Sequence, residues 1–358
     1  KPNSDIEIIN LKDAKEIEDK IKIAIKSSER LPEFKEQLNE AEDNWKEVGN
    51  LIIKPLKEAI GNANTLFISP DSEINRVPFT ALGSLKNKKF LSEDFKIRLL
   101  TTGRELIKLN NESNSNSYES LVVANPDFDS QLQSQKINNE IYLNNEYQTR
   151  SKDSRYKTWP RLPFTTLEGE FIAKKLNAKL LMNEKATVSA VQEVSAPNIL
   201  HIASHSEYLE DIKIDNTSKN NELNELNNLN QKNLKENSLL RSYVVLAGAN
   251  YPDFNPNDDG YLTAQEFSKL NFFGTELVVI SGCESGQGDI KSGEGIYGLK
   301  RAIAISGARS SLLALWKVED KATYEFMKTY YEQLSFGLGR VEALTETQKI
   351  FREKKDDI

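Results

Sequence analysis

Two hydrophobic periods divide this chain. Over residues 11–64, apolar residues recur at helical spacing among charges, in LKDAKEIEDKIKIAIKSS and FKEQLNEAEDNWKEVGNLIIKPLKEAIGN. Both stretches predict amphipathic helices, punctuated by Pro32 and Pro55. They read either as a docking or regulatory arm or as a solvated pair of packing helices. From Asn64 the texture changes. NTLFISPDSEINRVPFTAL predicts a strand, a turn at Pro70-Asp71 and a short extended piece. Uninterrupted apolar runs then predict buried strands at SLVVAN (120–125), NILHIAS (198–204), SYVVLAGA (242–249), TELVVISG (275–282) and SSLLALWKV (310–318). Helical patterns fall between them, in LEGEFIAKKLNAKLL (167–181, with a closing turn and strand), AQEFSKL and GIYGLKRAIAIS. KATYEFMKTYYEQLSF and RVEALTETQKIFREKK close the chain as helices. Apolar strands alternating with helices predict an α/β fold with a mainly parallel central sheet covered on both faces. A polar tract at about 207–238, rich in Asn, Lys, Glu and Leu, predicts a mobile insertion.

Composition narrows the function classes. The 358 residues are 38% hydrophobic and 28% charged, which suits a soluble protein of about two domains. A single cysteine excludes an internal disulfide framework and a thiolate zinc cage, and two histidines leave few groups for any metal. A net charge of -7 argues against a general nucleic-acid-binding surface. No apolar run approaches the roughly 20 residues that span a membrane. The opening KPNSDIEIIN has neither the apolar centre of a signal peptide nor an initiator Met. It therefore reads as part of something longer, with a cytoplasmic location as the default.

Candidate chemistry sits at two strand exits, where sites gather in open parallel sheets. His205 follows NILHIAS, and Cys283 follows TELVVISG. Two such strands lying side by side would bring imidazole and thiol together across 78 residues of sequence, the difference between 283 and 205. A thiol needs that help, because its ordinary pKa is about 8.5 and the thiolate is the nucleophile. A neighbouring imidazole takes the proton or stabilises the thiolate. Gly282, Ser285, Gly286 and Gly288 surround the thiol with small residues, which admit a substrate backbone and free N–H groups for an oxyanion. The competing reading is core filler, since free cysteine is often buried. His201 lies four residues before His205, inside the apolar run, about 13 Å further down the same face. It reads as a core histidine.

The motifs LHIASHS, LVVISGCESGQG, GEGIYGLKRAIAISGARSSLLALWKVEDKAT and YYEQL resemble the CHAT peptidases, caspase-like members of the caspase and separase clan of cysteine proteases. SPDSEINRVPFTAL, VVANPDF, LPFTTLEGEFIAKKL and DDGYLTAQEFSKL extend the resemblance in order over roughly residues 50–350. It implies a caspase-hemoglobinase-like sandwich with an N-terminal helical arm, peptide-bond hydrolysis and no cofactor. By motif, His205 is the catalytic histidine and Cys283 the nucleophile, with backbone N–H groups of Ser206 and Cys283 as oxyanion donors. The implied division is an arm or linker over 1–64, from an upstream TPR-type region, and a catalytic domain over 65–358. That domain has an N-terminal part, 65–135, and a catalytic part, 136–358. The family's glycine after the catalytic His is Ser206 here, and its alanine before the Cys is Gly282. The family runs on past the helix bearing Ala343, Leu344 and Gln348 to a Trp-containing segment, so a C-terminal element is expected beyond Ile358.

The expected function is a regulated cysteine endopeptidase acting on a specific protein substrate, in bacterial defence or cell-death signalling, with a TPR or sensor partner. The alternatives are an inactive protease-like scaffold that binds partners, or an acyltransferase of the same fold. LWKVED resembles a stretch shared with separases, where an acid receives a basic substrate side chain. Asp320, or else Glu319, takes that role by charge-assisted hydrogen bonding, with Trp316 walling the pocket. Against this, Asp320 reads as the cap of a helix starting at Lys321. NPNDDGYLTAQE (255–266) imitates a calcium loop, but Asn255 stands at its first position and a strand rather than a helix leads in. It reads instead as a turn entering a short helix, so no metal is expected.

Overall fold

The computed structural model describes residues 5–11, 13–29, 38–109, 118–131, 157–209, 238–255, 258–283, 285–291 and 295–353. Contacts group the chain into two units. One contains residues 1–112, 290–295 and 315–358, the other 113–289 and 296–314.

The first unit opens with the two expected helices, α1 (Ala14–Glu29) and α2 (Leu38–Ile52). Their periodicity becomes burial. Ile17, Ile21, Ala24 and Ile25 of α1 line one face, and Ala41, Trp45, Val48 and Ile52 of α2 line another. Each fully buried Ile or Val contributes about 1.5–3 kcal/mol relative to exposure. The buried Trp45 indole donates from Nε1 to Ser28 Oγ at 2.8 Å, tying α2 to α1. A 3₁₀ turn with Pro55 follows, then α3 (Lys57–Ile60). The strand expected after Asn64 is β1 (Thr65–Ile68). The extended piece expected after it is instead two 3₁₀ turns, Ser72–Arg76 and Phe79–Ala81. The buried Asn75 amide donates to the Pro70 and Ser72 carbonyls and curls the segment. Next come α4 (Leu91–Asp94), β2 (Lys96–Leu99), which pairs parallel with β1, and α5 (Glu105–Leu109).

The second unit carries the sheet. Its first elements are β3 (Leu121–Pro126), α6 (Pro163–Leu176), β4 (Lys179–Asn183), α7 (Val188–Gln192) and β5 (Ile199–Ala203). Then follow β6 (Ser206–Tyr208), β7 (Ser242–Val245), β8 (Tyr261–Thr263), α8 (Ala264–Phe267) and β9 (Leu277–Ile280). Residues 290–295 count with the first unit, so β10 (Gly288–Lys291) and β11 (Gly295–Gly298) straddle the division, and α9 (Leu299–Ser306) and β12 (Ser311–Leu313) follow in the second. The expected parallel sheet is present, with five strands in the order β12-β9-β5-β3-β4. Its central strands are buried throughout β9 and nearly so in β3 and β5, which explains their unbroken apolar runs. α6 packs on β3 so closely that a Cβ at Gly169 would lie 2.4 Å from that of Ala124. Asn177, left-handed at φ 50°, ends the helix.

Some elements depart from expectation. A second sheet, β6-β7-β8, is antiparallel, because the chain turns back after His205 instead of crossing over. SYVVLAGA is strand only to Val245, GIYG is strand β11 rather than helix, and SSLLALWKV is strand only over Ser311–Leu313. The core of the polar tract at about 207–238 falls outside the described residues. The chain ends in α10 (Asp320–Ser335) and α11 (Arg340–Glu353), joined by the Phe326–Phe351 edge contact within the first unit. Among the described residues no helix is long and apolar enough to cross a membrane.

Candidate active site

β5 and β9 are parallel neighbours, with Ile202 opposite Ile280. Counting three residues onward from that pair reaches His205 on one strand and Cys283 on the other. Both exits lie at the carboxyl edge of the sheet. The loops they start are in contact: Ser206 Oγ donates to the Cys283 carbonyl at 2.5 Å. A Cβ added at Gly282 would meet Ser204 O at 2.4 Å and Ser206 Oγ at 2.5 Å, so only glycine fits between the strand exits. Cys283 is partly exposed, while the four residues of β9 are buried. A thiol that only filled the core would sit among those residues rather than beyond them.

The loop after Cys283 is pinned to the end of β9 and to Ala314, just past β12. Ser285 Oγ donates to Ile280 O at 3.0 Å and accepts from Ala314 N at 2.9 Å, and Gly286 N donates to Ala314 O at 2.7 Å. The small residues noted in the sequence thus fold the loop tightly over the strand ends.

His205 is held from three sides. Its ring lies 5.1 Å from that of Trp159 and 5.4 Å from that of Phe128, centroid to centroid. Its Nε2 is 2.7 Å from the Pro160 carbonyl. A carbonyl only accepts, so Nε2 carries the proton, and in the neutral ring Nδ1 is the basic nitrogen. The orienting group of the imidazole is therefore a main-chain oxygen. The sequence offered no third side chain for this, and a backbone carbonyl leaves no residue-type signature. The tryptophan beside a proline in TWPRLP was the available hint.

His201 is buried within β5, and its Nε2 lies 2.8 Å from Oε1 of the equally buried Glu168 on α6. The reading of His201 as a core histidine stands. The calcium-loop residues are engaged otherwise. Asp258 accepts from Val188 N and Ser189 N at the start of α7, Asp259 accepts from Tyr261 N, and Glu266 forms a capping box with Thr263. No cluster of three or more His, Cys, Asp or Glu residues suited to a metal occurs among the described residues.

The remaining sequence candidates belong to the first unit. Trp316 stacks on Trp45 of α2, with centroids 6.4 Å apart. The cap of α10 differs from expectation: the helix begins at Asp320, and Glu319 is the cap. Its carboxylate accepts from Lys321 N at 3.2 Å and Ala322 N at 2.7 Å. The carboxylate thus satisfies the second and third N–H groups of the first turn, the usual work of a cap.

Comparison with known proteins supplies the family. The profile of the CHAT domain matches residues 43–357. The chain belongs to the CHAT domain family. It is thereby a member of the caspase-like peptidases, and the parallel sheet flanked by helices is the caspase-like fold. Among curated proteins it is similar to tetratricopeptide repeat protein 28 of Homo sapiens, 21% identical over 306 residues. That match covers 83% of this chain and 11% of that protein. The Mus musculus protein of the same name is 22% identical over 306 residues, covering 83% and 12%. The chain therefore spans little more than a tenth of those relatives' length.

Two departures from the CHAT pattern meet in space. The side chain of Ser206, where the family has glycine, occupies the position that the family's alanine methyl would need at Gly282. The larger residue on one loop is matched by the smaller on the other. Ser206 also lies in extended β6 and is not among the residues with positive φ, so its conformation does not require glycine.

Proposed function

We propose that this CHAT domain is a cysteine endopeptidase acting through His205 and Cys283 on a specific protein substrate. The observation that carries the reading is the register of β5 and β9, which sets the two residues at equivalent exits of adjacent parallel strands. The thiol proton passes to Nδ1 of His205, and the thiolate sulfur bonds to the scissile carbonyl carbon. The oxyanion accepts hydrogen bonds from the backbone N–H groups of Cys283 and Ser206. Support for Ser206 comes from the ladder. Val245 N donates to His205 O and Leu209 N to Arg241 O, so Ser206 and Val244 form a non-hydrogen-bonded pair. The Ser206 N–H consequently points away from β7. As the C–N bond breaks, the imidazolium protonates the leaving amine. His205 then deprotonates a water that hydrolyses the thioester, restoring the thiol.

Asp320, or else Glu319, is the proposed acceptor of a basic substrate side chain, with Trp316 walling its pocket. The family resemblance and the name of the mammalian relatives support a TPR-type regulatory partner. The resemblance supports a role in bacterial defence or cell-death signalling, with a cytoplasmic setting as the default. The test is cleavage of a peptide library, read by mass spectrometry, by the native chain and by Cys283→Ala. Cuts made by the native chain alone support the reading, and cuts after Lys or Arg that Asp320→Asn abolishes support the specificity role. An inert native chain with an unreactive thiol would favour a partner-binding scaffold.

A further inference from the structure

Among the described residues, Trp159, Phe128 and Pro160, which contact the His205 ring, are tied to one asparagine on a different segment, Asn250. Its Oδ1 accepts from Trp159 N at 2.8 Å, and its Nδ2 donates to Trp159 O at 3.2 Å, a two-way clamp on that residue's main chain. The second Nδ2 proton goes to Asp129 Oδ1 at 2.7 Å. The Asn250 backbone N–H donates to Phe128 O at 2.9 Å. The orientation of the amide is forced by its partners, since an N–H needs Oδ1 and a carbonyl and a carboxylate need Nδ2. Asn250 thus fixes Trp159 and Phe128, whose rings both contact that of His205, tilted to it by 43° and 44°. Through Trp159 it also fixes the next residue, Pro160, whose carbonyl accepts the Nε2 proton.

From this geometry we infer that Asn250 is a positioning residue for His205. It sets the Pro160 carbonyl so that the ring keeps its proton on Nε2 and presents Nδ1 as the base. The catalytic part of the inference rests on the peptidase reading above. The tautomer part does not. Aspartate would keep the acceptor for Trp159 N but lose both donors, setting a carboxylate against the Trp159 carbonyl and Asp129. Alanine would lose all three side-chain bonds. A misplaced base of this kind lowers turnover on the order of 10- to 100-fold while leaving substrate binding nearly intact.

The chain contains only two histidines, so selective ¹⁵N-histidine labelling reports His205 directly, with the buried His201 as an internal control of folding. In the native chain the neutral His205 ring should hold its proton on Nε2. In Asn250→Ala and Asn250→Asp it should sample both tautomers with His201 unmoved, and kcat should fall 10- to 100-fold with little change in KM. Should Asn250→Ala disturb His201 as well, the near-isosteric Asn250→Asp carries the test. An unchanged His205 spectrum in a folded variant overturns the inference, as does a changed spectrum with kcat intact. If the native chain cuts nothing and Cys283 is inert, the peptidase reading fails separately. The spectrum still decides whether Asn250 governs the tautomer.

Discussion

Two histidines stand four residues apart on and just beyond one strand, in opposite surroundings. His201 lies in the middle of β5, fully buried, against the buried carboxylate of Glu168. His205 lies past the strand's carboxyl end, partly exposed, against a main-chain carbonyl and two aromatic rings. Depth along the strand decides the difference. In the middle, parallel neighbours and α6 enclose the ring, and its polar atoms require a dedicated partner. At the exit, strand pairing ends and the neighbouring strand delivers Cys283.

The sharpest way to break the comparison is to exchange the roles by mutation. His205→Gln and Cys283→Ala should each lower kcat/KM about a thousandfold or more. Both should leave thermal stability close to native, measured by cleavage rate and melting. Glu168→Ala should do the reverse. It should cost about 1–3 kcal/mol in denaturant unfolding, the usual penalty for leaving a buried polar group unsatisfied, with little effect on activity per folded molecule. Gly282→Ala probes the contact between the strand exits and should cost about 1–3 kcal/mol through overpacking. Adding Ser206→Gly should recover only part, because Ser204 O remains 2.4 Å from the new methyl. The smallest effect belongs to an exposed pair in the first unit. The hydrogen bond and charge of Lys96 hold the Glu342 carboxyl below its ordinary value of 4.5. A depressed carboxyl stabilises the fold above that value and loses its contribution as pH falls below it. Lys96→Met should remove this term, worth about 0.5 kcal/mol or less at this exposure, and flatten the acid limb of the stability curve.

The pattern that made β3, β5 and β9 legible was burial on both faces, which leaves no polar position in LVVA, ILHIA and LVVI except His201. The order of His and Cys at their exits was equally readable. What the sequence left hidden depends on main-chain atoms and on pairs distant along the chain. The Pro160 carbonyl and the clamp by Asn250 involve backbone groups every residue carries. The antiparallel β6-β7-β8 sheet depends on pairing Ser206 with Val244, across a polar tract that offers no periodicity. The matching of Ser206 with Gly282 links residues 76 apart, 282 less 206, and looks like two separate departures until the loops are seen together. The capping of α10 by Glu319 rather than Asp320 turned on a helix start one residue earlier, with two adjacent carboxylates able to serve.

The central claim is that His205 activates Cys283, and alkylation of the only thiol in the chain measures it directly. At pH 7, with a small electrophile such as iodoacetamide, Cys283 should react on the order of ten times faster than free cysteine. In His205→Gln that advantage should disappear while the protein stays folded. Equal, slow alkylation of the native chain and of His205→Gln would contradict the account.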